Sequence, residues 1–154
     1  TDMKKAKKRL WKEFSKYVNR IHSIEPIQYM DKYVDACMNA ISNDNIKSVR
    51  HENNLLFNIE LTHFLKNQQD QRGYFGTFHE ISIKDLNELA SVIDDRCQTL
   101  TYFGFNKEEL RNFMTKNNLL GVDRIVPIGQ SLDFDINWDG YETIKILSRV
   151  VSIR

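Results

Sequence analysis

The last third of the chain, residues 121–154, reads GVDRIVPIGQSLDFDINWDGYETIKILSRVVSIR. It contains an apolar run over residues 125–128, a Trp138-Asp139-Gly140 corner and a closing apolar stretch. A segment that is only solvated does not carry isoleucine, valine, leucine and tryptophan at this density. We therefore expect earlier strands and helices to dock onto this segment.

The Trp138-Asp139-Gly140 corner has two interpretations. In the first, Asp139 and Glu142 form a capping pair for a short helix, Gly140 allows the turn and Trp138 packs on the core. In the second, Trp138 forms part of the wall of an apolar substrate site. The local pattern supports the capping interpretation directly.

Strands and helices alternate in the segments around this region. In chain order we predict a strand over residues 74–81, a helix over 86–93 capped by Ser82 and Asp85, a strand over 98–103, a helix capped by Asn106 and Glu109, and strands over 124–128 and 150–153. Strands separated by short helices are typical of parallel pairing through crossover connections. The pattern therefore predicts a βαβαβ parallel-sheet core.

Two amphipathic helices are predicted before this core, over residues 3–21 and 26–42. Apolar residues recur along them at three- and four-residue steps, which predicts one buried stripe on each helix. The stripes are Leu10, Trp11, Phe14, Val18 and Ile21 on the first helix, and Ile27, Met30, Val34, Cys37 and Ile41 on the second. Extended stretches follow over residues 46–50 and 55–61, and a polar loop over 66–72. The predicted class is α/β, with residues 1–154 forming a single unit.

The overall composition excludes some classes of function. Twenty-two basic and twenty-one acidic residues leave a formal net charge of +1, which gives no global field for nucleic acid or an anionic membrane. No apolar run approaches the roughly 18 residues that a membrane-spanning helix needs. The two cysteines, Cys37 and Cys97, are too few for a disulfide framework. We expect a cytoplasmic protein with reduced thiols.

The first helix opens with a basic run, Lys4, Lys5, Lys7, Lys8 and Arg9. One interpretation is a patch that meets phosphate, such as a nucleotide tail or coenzyme A. The other, which we favour, is an ordinary solvated face.

Motifs that would define a catalytic or cofactor site from sequence alone are absent. Neither G-x-G-x-x-G nor G-x-x-x-x-G-K-[ST] occurs, and Gly73 and Gly76 form only a weak substitute. The four histidines are scattered, so we expect no metal site. Cys97 could act as a nucleophile only with a base and a helix N-terminus nearby, and its neighbours Arg96 and Gln98 do not establish either. A structural role is therefore the prediction for Cys97.

Two stretches resemble a known family. Residues 10–41, which contain IEPIQYMDKYVDACMNAI, resemble the segment that follows the nucleophilic cysteine in the long-chain acyl-CoA reductases, the fatty-acid reductases of bacterial bioluminescence type. Residues 121–154 resemble the carboxyl end of that family, with G-x-D-R-I-V-P-x-G and W-D-G-Y as the most specific pieces. The family belongs to the aldehyde dehydrogenase superfamily, so the resemblance implies a catalytic domain of that type.

The resemblance implies reduction of a long-chain acyl thioester to a fatty aldehyde with NADPH. A cysteine takes the acyl group from coenzyme A or from an acyl-carrying partner protein, and hydride then reduces the thioester. Phe75 and Gly76 correspond to a Phe-Gly-Pro turn near the nicotinamide, so the resemblance implies that they bind the cofactor. It also implies that Trp138 lines the substrate site and that the enzyme is a homo-oligomer.

The chain departs from the family pattern at two points. Neither Cys37 nor Cys97 matches the motif of the nucleophile, so the resemblance implies that the catalytic cysteine precedes residue 1. Many aldehyde dehydrogenases also carry a ribose-binding glutamate two residues before the Phe-Gly pair, where this chain has Gly73, preceded by Arg72. We therefore expect the carboxyl-terminal part of a reductase, inactive alone. The alternative is a binding or oligomerisation module that uses its apolar surface and the strand predicted over residues 150–153.

Overall fold

The structure, a computed structural model, describes residues 2–65, 67–71 and 73–154. Lys66 and Arg72, at the two ends of the loop predicted over residues 66–72, lie outside the described residues. The chain divides into two units, Thr1–Ser82 and Ile83–Arg154.

The first unit consists of two helices followed by a three-stranded sheet. Its elements are α1 (Met3–Ile21), α2 (Pro26–Ser42), β1 (Ile46–Glu52), β2 (Leu56–Leu61) and β3 (Thr77–Glu80), with a short 3-10 turn at Gln68–Asp70. The sheet order is β1-β2-β3, in which β1 runs antiparallel and β3 parallel to β2. Both predicted helices are confirmed with the expected bounds.

Local chemistry explains where both helices begin. The Asp2 carboxylate accepts a hydrogen bond from the backbone N–H of Lys4 at 3.2 Å, which satisfies one free donor of the first turn of α1. Pro26 occupies the first turn of α2, where its missing N–H costs no hydrogen bond within the helix. Glu25 and Gln28 add a capping box around it.

The two helices contact opposite faces of the sheet. Successive side chains of a strand point to opposite faces, so Leu56, Asn58 and Glu60 share one face of β2, and Phe57 and Ile59 share the other. On the first face the α1 rings pack against the sheet, with 5.3 Å between the Trp11 and Phe78 centroids. On the second face α2 contacts the sheet, with 6.1 Å between the Tyr29 and Phe57 centroids. The core combines Val18, Leu55 and Leu56 with the partly buried Phe14, Ile24 and Phe78.

Helix α2 turns its polar face inward. Lys32 and Ala36, which are 1% and 3% exposed, contact the sheet side. The predicted stripe faces outward instead: Ile27, Val34 and Ile41 are 67%, 54% and 78% exposed. The prediction that this stripe packs on the core is wrong.

The first helix follows its predicted stripe more closely. Trp11, Phe14 and Val18 pack toward the sheet, whereas Leu10 and Ile21 at the edges of the stripe are exposed. The predicted core of α1 is therefore confirmed at its centre only.

The second unit carries a parallel strand pair and a small hairpin. Its elements are a 3-10 helix (Leu86–Val92), β4 (Gln98–Tyr102), α3 (Lys107–Asn117), β5 (Val122–Pro127), β6 (Asn137–Trp138), β7 (Tyr141–Glu142) and α4 (Thr143–Leu147). Strands β4 and β5 pair in parallel, and β6 pairs antiparallel with β7. The predicted β-α-β order around α3 is confirmed.

Capping boxes start two of these elements. The Asn106 side chain accepts from the Glu109 N–H at 2.9 Å, and the Glu109 carboxylate accepts from the Asn106 N–H at 2.8 Å. This box is the predicted one, and Leu110 and Phe113 are buried as expected. The 3-10 helix is capped by Asp85 with Glu88, so the prediction that Ser82 and Asp85 cap it is wrong.

The predicted α/β class is confirmed, but the strands do not form one βαβαβ sheet. Strand β3 hydrogen-bonds to β2, and β4 hydrogen-bonds to β5, so the strands belong to separate sheets. Local patterns identify strands, whereas pairing depends on contacts far apart in sequence. The strand predicted over residues 150–153 is also wrong, because these residues adopt no regular structure and Val150 is 97% exposed.

None of the helices within the described residues is both long and apolar enough to span a membrane.

Candidate functional site

The turn before β3 contains the predicted cofactor residues Phe75 and Gly76. Gly76 has a φ of 71°, and a Cβ atom there would overlap the carbonyl oxygen of Leu55. The Gly76 carbonyl in turn accepts a hydrogen bond from the Phe57 N–H at 2.9 Å. The turn is therefore held against β2 so closely that only glycine fits. The side chain of Phe75 is half exposed beside it.

A buried lysine lies under this turn. The Lys32 ammonium donates a hydrogen bond to the carbonyl oxygen of Leu55. Its nitrogen lies 5.0 Å from the ring centroid of Phe57 and 5.2 Å from that of Phe75, which is the geometry of cation–π contacts. Within the described part of the chain no carboxylate forms an ion pair with Lys32. Phe75 and Gly76 thus share a small cluster with a buried cation.

Burial lowers the pKa of two basic groups on this side of the sheet. Desolvation lowers the pKa of Lys32 to about 8. Desolvation also lowers the pKa of His79, while the charge of Asp35 opposes this. His79 lies opposite Ile59 in the β2–β3 register, on the strand face that contacts α2. The site therefore holds an amine and an imidazole whose charged forms are both disfavoured.

Sequence reasoning did not identify Lys32. The apolar spacing of α2 assigns the inward face to Ile27, Val34 and Ile41, so Lys32 is expected in solvent. The turn itself is singled out by the resemblance, which implies that Phe75 and Gly76 bind the cofactor. No signal in the sequence connects this turn with position 32.

A polar network lies on the opposite face of the sheet, between α1 and the strands. The Lys7 ammonium lies 2.9 Å from Glu80 and 3.3 Å from Glu60. Lys47 and Arg50 also contact Glu60, at 3.0 and 3.2 Å. Hydrogen bonding from Lys47 has the largest effect and, together with that from Lys7 and Ser48, lowers the pKa of Glu60 to about 2 against the opposing effect of desolvation. Glu60 therefore stays ionised and forms ion pairs with three cations.

In the last third of the chain, residues of the family-like motif contact one another. The Arg124 guanidinium stacks over the Trp138 ring at 4.3 Å and donates to the carbonyl of Asp133 at 2.8 Å. Trp138 also stacks on Phe134, with 5.4 Å between centroids. The predicted substrate-site residue Trp138 is half buried between these two side chains. Its role in lining a substrate site stays a prediction.

The Trp138-Asp139-Gly140 corner is a hairpin turn. Trp138 and Tyr141 pair across β6 and β7, and both residues between them have positive φ, 48° at Asp139 and 78° at Gly140. This geometry is that of a tight turn between two strands. Asp139 therefore does not cap α4, whose N-cap position is Glu142, and the capping interpretation is wrong. A Cβ atom at Gly140 would lie 2.7 Å from a carboxylate oxygen of Asp123.

The two cysteines differ in their exposure. Cys37 lies exposed on α2, so its predicted place in the core is wrong, and Cys97 is partly buried. Among the described residues, no three His, Cys, Asp or Glu side chains are arranged to hold a metal ion.

Comparisons with known proteins identify no family. The chain matches no protein-family model, no curated protein and no solved structure. Its function is therefore proposed from its own residues, their contacts and the resemblance of its motifs.

Proposed function

We propose that this chain is the carboxyl-terminal part of an NADPH-dependent reductase that converts long-chain acyl-CoA to fatty aldehyde. The motifs over residues 10–41 and 121–154 support this assignment by their resemblance to the acyl-CoA reductases. In the proposal, a cysteine upstream of residue 1 forms the acyl thioester. The Phe75-Gly76 turn then contacts the cofactor, and Trp138 lies at the substrate site.

The observation that carries the proposal is the outward apolar face of α2. Burying a side chain such as valine or isoleucine gains about 1.5–3 kcal/mol relative to leaving it in water. Helix α2 instead buries Lys32 and exposes Ile27, Val34 and Ile41. Such a helix is stable in this orientation when a second apolar surface covers its outer face. The proposal assigns that cover to the preceding segment of the reductase catalytic domain.

The motif contacts in the second unit agree with a supporting role for the chain. Arg124 binds Trp138 and the Asp133 carbonyl, and Gly140 accommodates Asp123. These residues fix a loop and a hairpin and leave no nucleophile among them. In the proposal they close the catalytic domain, and the reacting groups belong to the upstream segment.

The direct test is acyl-CoA reduction by the protein with and without the upstream segment. We expect the full-length protein to oxidise NADPH in the presence of palmitoyl-CoA and to release the aldehyde. The 154-residue chain alone should show no turnover, because neither of its cysteines serves as the nucleophile. NADPH oxidation at 340 nm and mass spectrometry of the aldehyde measure both outcomes.

Two results would contradict the proposal. Aldehyde formation by the 154-residue chain would show that the nucleophile does not lie upstream. A full-length protein that binds palmitoyl-CoA but forms no aldehyde with either NADPH or NADH would remove the reductase assignment itself.

The α2 surface also favours a second candidate, an oligomerisation module. Its exposed residues Ile27, Met30, Val34, Cys37 and Ile41 follow the three- and four-residue spacing of a coiled-coil seam. The two ends of the seam, Ile27 and Ile41, are each seven residues from Val34, so two antiparallel copies centred on Val34 would place Ile27 opposite Ile41. In this candidate the cover of α2 is a second copy of the chain.

A charge at Val34 tests the seam. In the second candidate, Val34→Glu places two carboxylates at the centre of the contact and removes two buried valines. We expect the dimer dissociation constant to rise at least about a hundredfold. Sedimentation velocity of the chain measures this constant.

Asn19→Glu is the matched control, because it adds the same charge at an exposed position of α1. Unchanged association in Val34→Glu, or a strictly monomeric wild-type chain, would contradict the second candidate. Loss of turnover in full-length Val34→Glu with unchanged association would favour the reductase assignment.

A further inference from the structure

A cleft of about 390 Å³ lies between the first turns of α1 and the β1–β2 edge of the sheet. Lys4, Lys7 and Lys8 line it from the helix, and Lys47 and Arg50 line it from β1. The cleft therefore unites three lysines of the basic run with two cations that are 39 or more residues away in sequence. Its volume is within the range of small-molecule sites.

Cations outnumber carboxylates in this cleft. Five cations line it, against the carboxylates of Glu52 and Glu60 at the wall and of Glu80 beside Lys7, which leaves an excess of two positive charges. Lys4 and Lys8 are exposed, and among the described residues they form no ion pair. They are available for an anion.

The carboxylates in the cleft hold the other cations in place. Glu60 binds Lys7, Lys47 and Arg50 together within 3.3 Å, and Glu80 binds Lys7 at 2.9 Å. Lys47 and Arg50 nevertheless keep more than half of their side-chain surface exposed. The cation heads are therefore positioned before any ligand arrives, and their outer surface stays accessible.

A buried amide oxygen in the same cleft has no hydrogen-bond partner. Asn58 is 4% exposed and donates through its amide nitrogen to Glu80 at 2.8 Å. Its Oδ1 atom is buried and accepts no hydrogen bond. An unsatisfied buried acceptor is unusual in a folded protein and calls for a donor. Because Asn58 lines the cleft, a hydroxyl or amino group of a bound molecule would supply that donor.

The Trp11 side chain completes the wall and is itself fixed. Its indole N–H donates to Glu80 at 3.3 Å, and its ring packs on Phe78. The wall thus combines an apolar ring, a free acceptor and an excess of cations.

We propose that this cleft binds a phosphate ester that carries a hydroxyl or amino group close to the phosphate. The phosphate interacts with Lys4, Lys8 and the outer surface of Arg50, and the donor group reaches Asn58. Phosphorylated nucleosides and phosphorylated polyols share this chemistry. The inference concerns binding and holds whether or not the chain belongs to a reductase.

Calorimetric titration of the chain at low salt tests the site, with adenosine 3′,5′-bisphosphate, glycerol 3-phosphate and inorganic phosphate as probes. We expect at least one ester to bind about tenfold more tightly than inorganic phosphate, because only the esters carry a donor separate from the phosphate group that can reach Asn58 while the phosphate contacts the lysines. The tighter of the two esters identifies a nucleoside or a polyol as the source. Trp11 fluorescence in a Trp138→Phe background reports binding locally.

The variant for testing the site neutralises Lys4 and Lys8. Lys4→Gln combined with Lys8→Gln should weaken ester binding about tenfold or more, since two charge-assisted contacts are lost. The control combines Lys12→Gln with Lys16→Gln, which removes the same charge from exposed positions of α1 outside the cleft. All four lysines are exposed, so both double variants should keep the wild-type circular dichroism spectrum.

Three outcomes would overturn the inference. They are no saturable binding of any probe up to about 10 mM, equal affinity of the two double variants, and equal affinity of inorganic phosphate and both esters. None of these measurements requires turnover. If the full-length protein reduces acyl-CoA but the cleft does not bind the probes as expected, only the inference about the cleft is wrong, and the proposed function is unaffected.

Discussion

Gly76→Ala is expected to destabilise the first unit by at least about 3 kcal/mol. An L-residue at positive φ costs roughly 1–2 kcal/mol. The added Cβ would also overlap the Leu55 carbonyl oxygen, so β2 or the turn has to move. The lower entropy of the unfolded alanine chain offsets only about 0.4–1 kcal/mol. Urea unfolding followed by Trp11 fluorescence in a Trp138→Phe background measures this change.

Gly104→Ala is the control for backbone strain. Gly104 also has a positive φ, 86°, but a Cβ atom there would meet nothing within 4 Å. We expect a loss of about 1 kcal/mol in this variant, measured by circular dichroism. Equal losses in the two variants would show that the close approach of the turn to β2 contributes nothing.

Lys32 is expected to make the stability of the chain rise between pH 8 and 10.5. Its pKa is lowered from 10.5 to about 8 by burial. Below pH 8 the amine is charged in both the folded and the unfolded chain, so the full desolvation cost is present. Between pH 8 and 10.5 the folded chain has lost the proton and the unfolded chain has not, so the cost falls away as the pH rises.

Lys32→Met removes this titration while keeping the length of the side chain. The difference in unfolding free energy between wild type and Lys32→Met should shift in favour of the wild type by about 3 kcal/mol from pH 7 to 10.5. Urea titrations across this range measure the difference, in which other titrating groups cancel. The loss of the bond to the Leu55 carbonyl affects the variant at every pH and does not change the slope.

Lys12→Met is the matched control, because Lys12 is exposed on α1. Its difference from the wild type should stay flat over the same range. A flat difference for Lys32→Met as well would show that Lys32 is hydrated in the folded chain.

Local signals predicted the helices of this protein well. The apolar period of residues 26–42 predicted α2 with its observed bounds, and Asn106 with Glu109 predicted the start of α3. These signals act over one or two turns of chain, where the hydrogen bonds of a cap and the spacing of side chains decide the outcome. The extended stretch predicted over residues 55–61 likewise matches β2, although both faces of this strand are buried and the burial does not alternate.

The candidate site was predicted only in part. The sequence singled out Phe75-Gly76, but the partners of this turn, Lys32 and Leu55, come from positions 20 or more residues earlier. For the cleft, the sequence likewise showed only the lysines of the basic run. Asn58 and Arg50 join it because β1 and β2 bring them beside α1. No local pattern encodes these distances.

By itself, the sequence determined where α1, α2 and α3 begin and approximately where the strands β1 to β5 lie, because caps, turns and periodicity are properties of neighbouring residues. It also determined an α/β class with a parallel strand pair around α3. Only the tertiary structure decided which face of α2 turns inward and which strands share a sheet. Those choices depend on long-range pairing and on the surface that finally covers each apolar face. In α2 the buried side chains are Lys32 and Ala36, and so a period that correctly predicts a helix assigns its buried side wrongly.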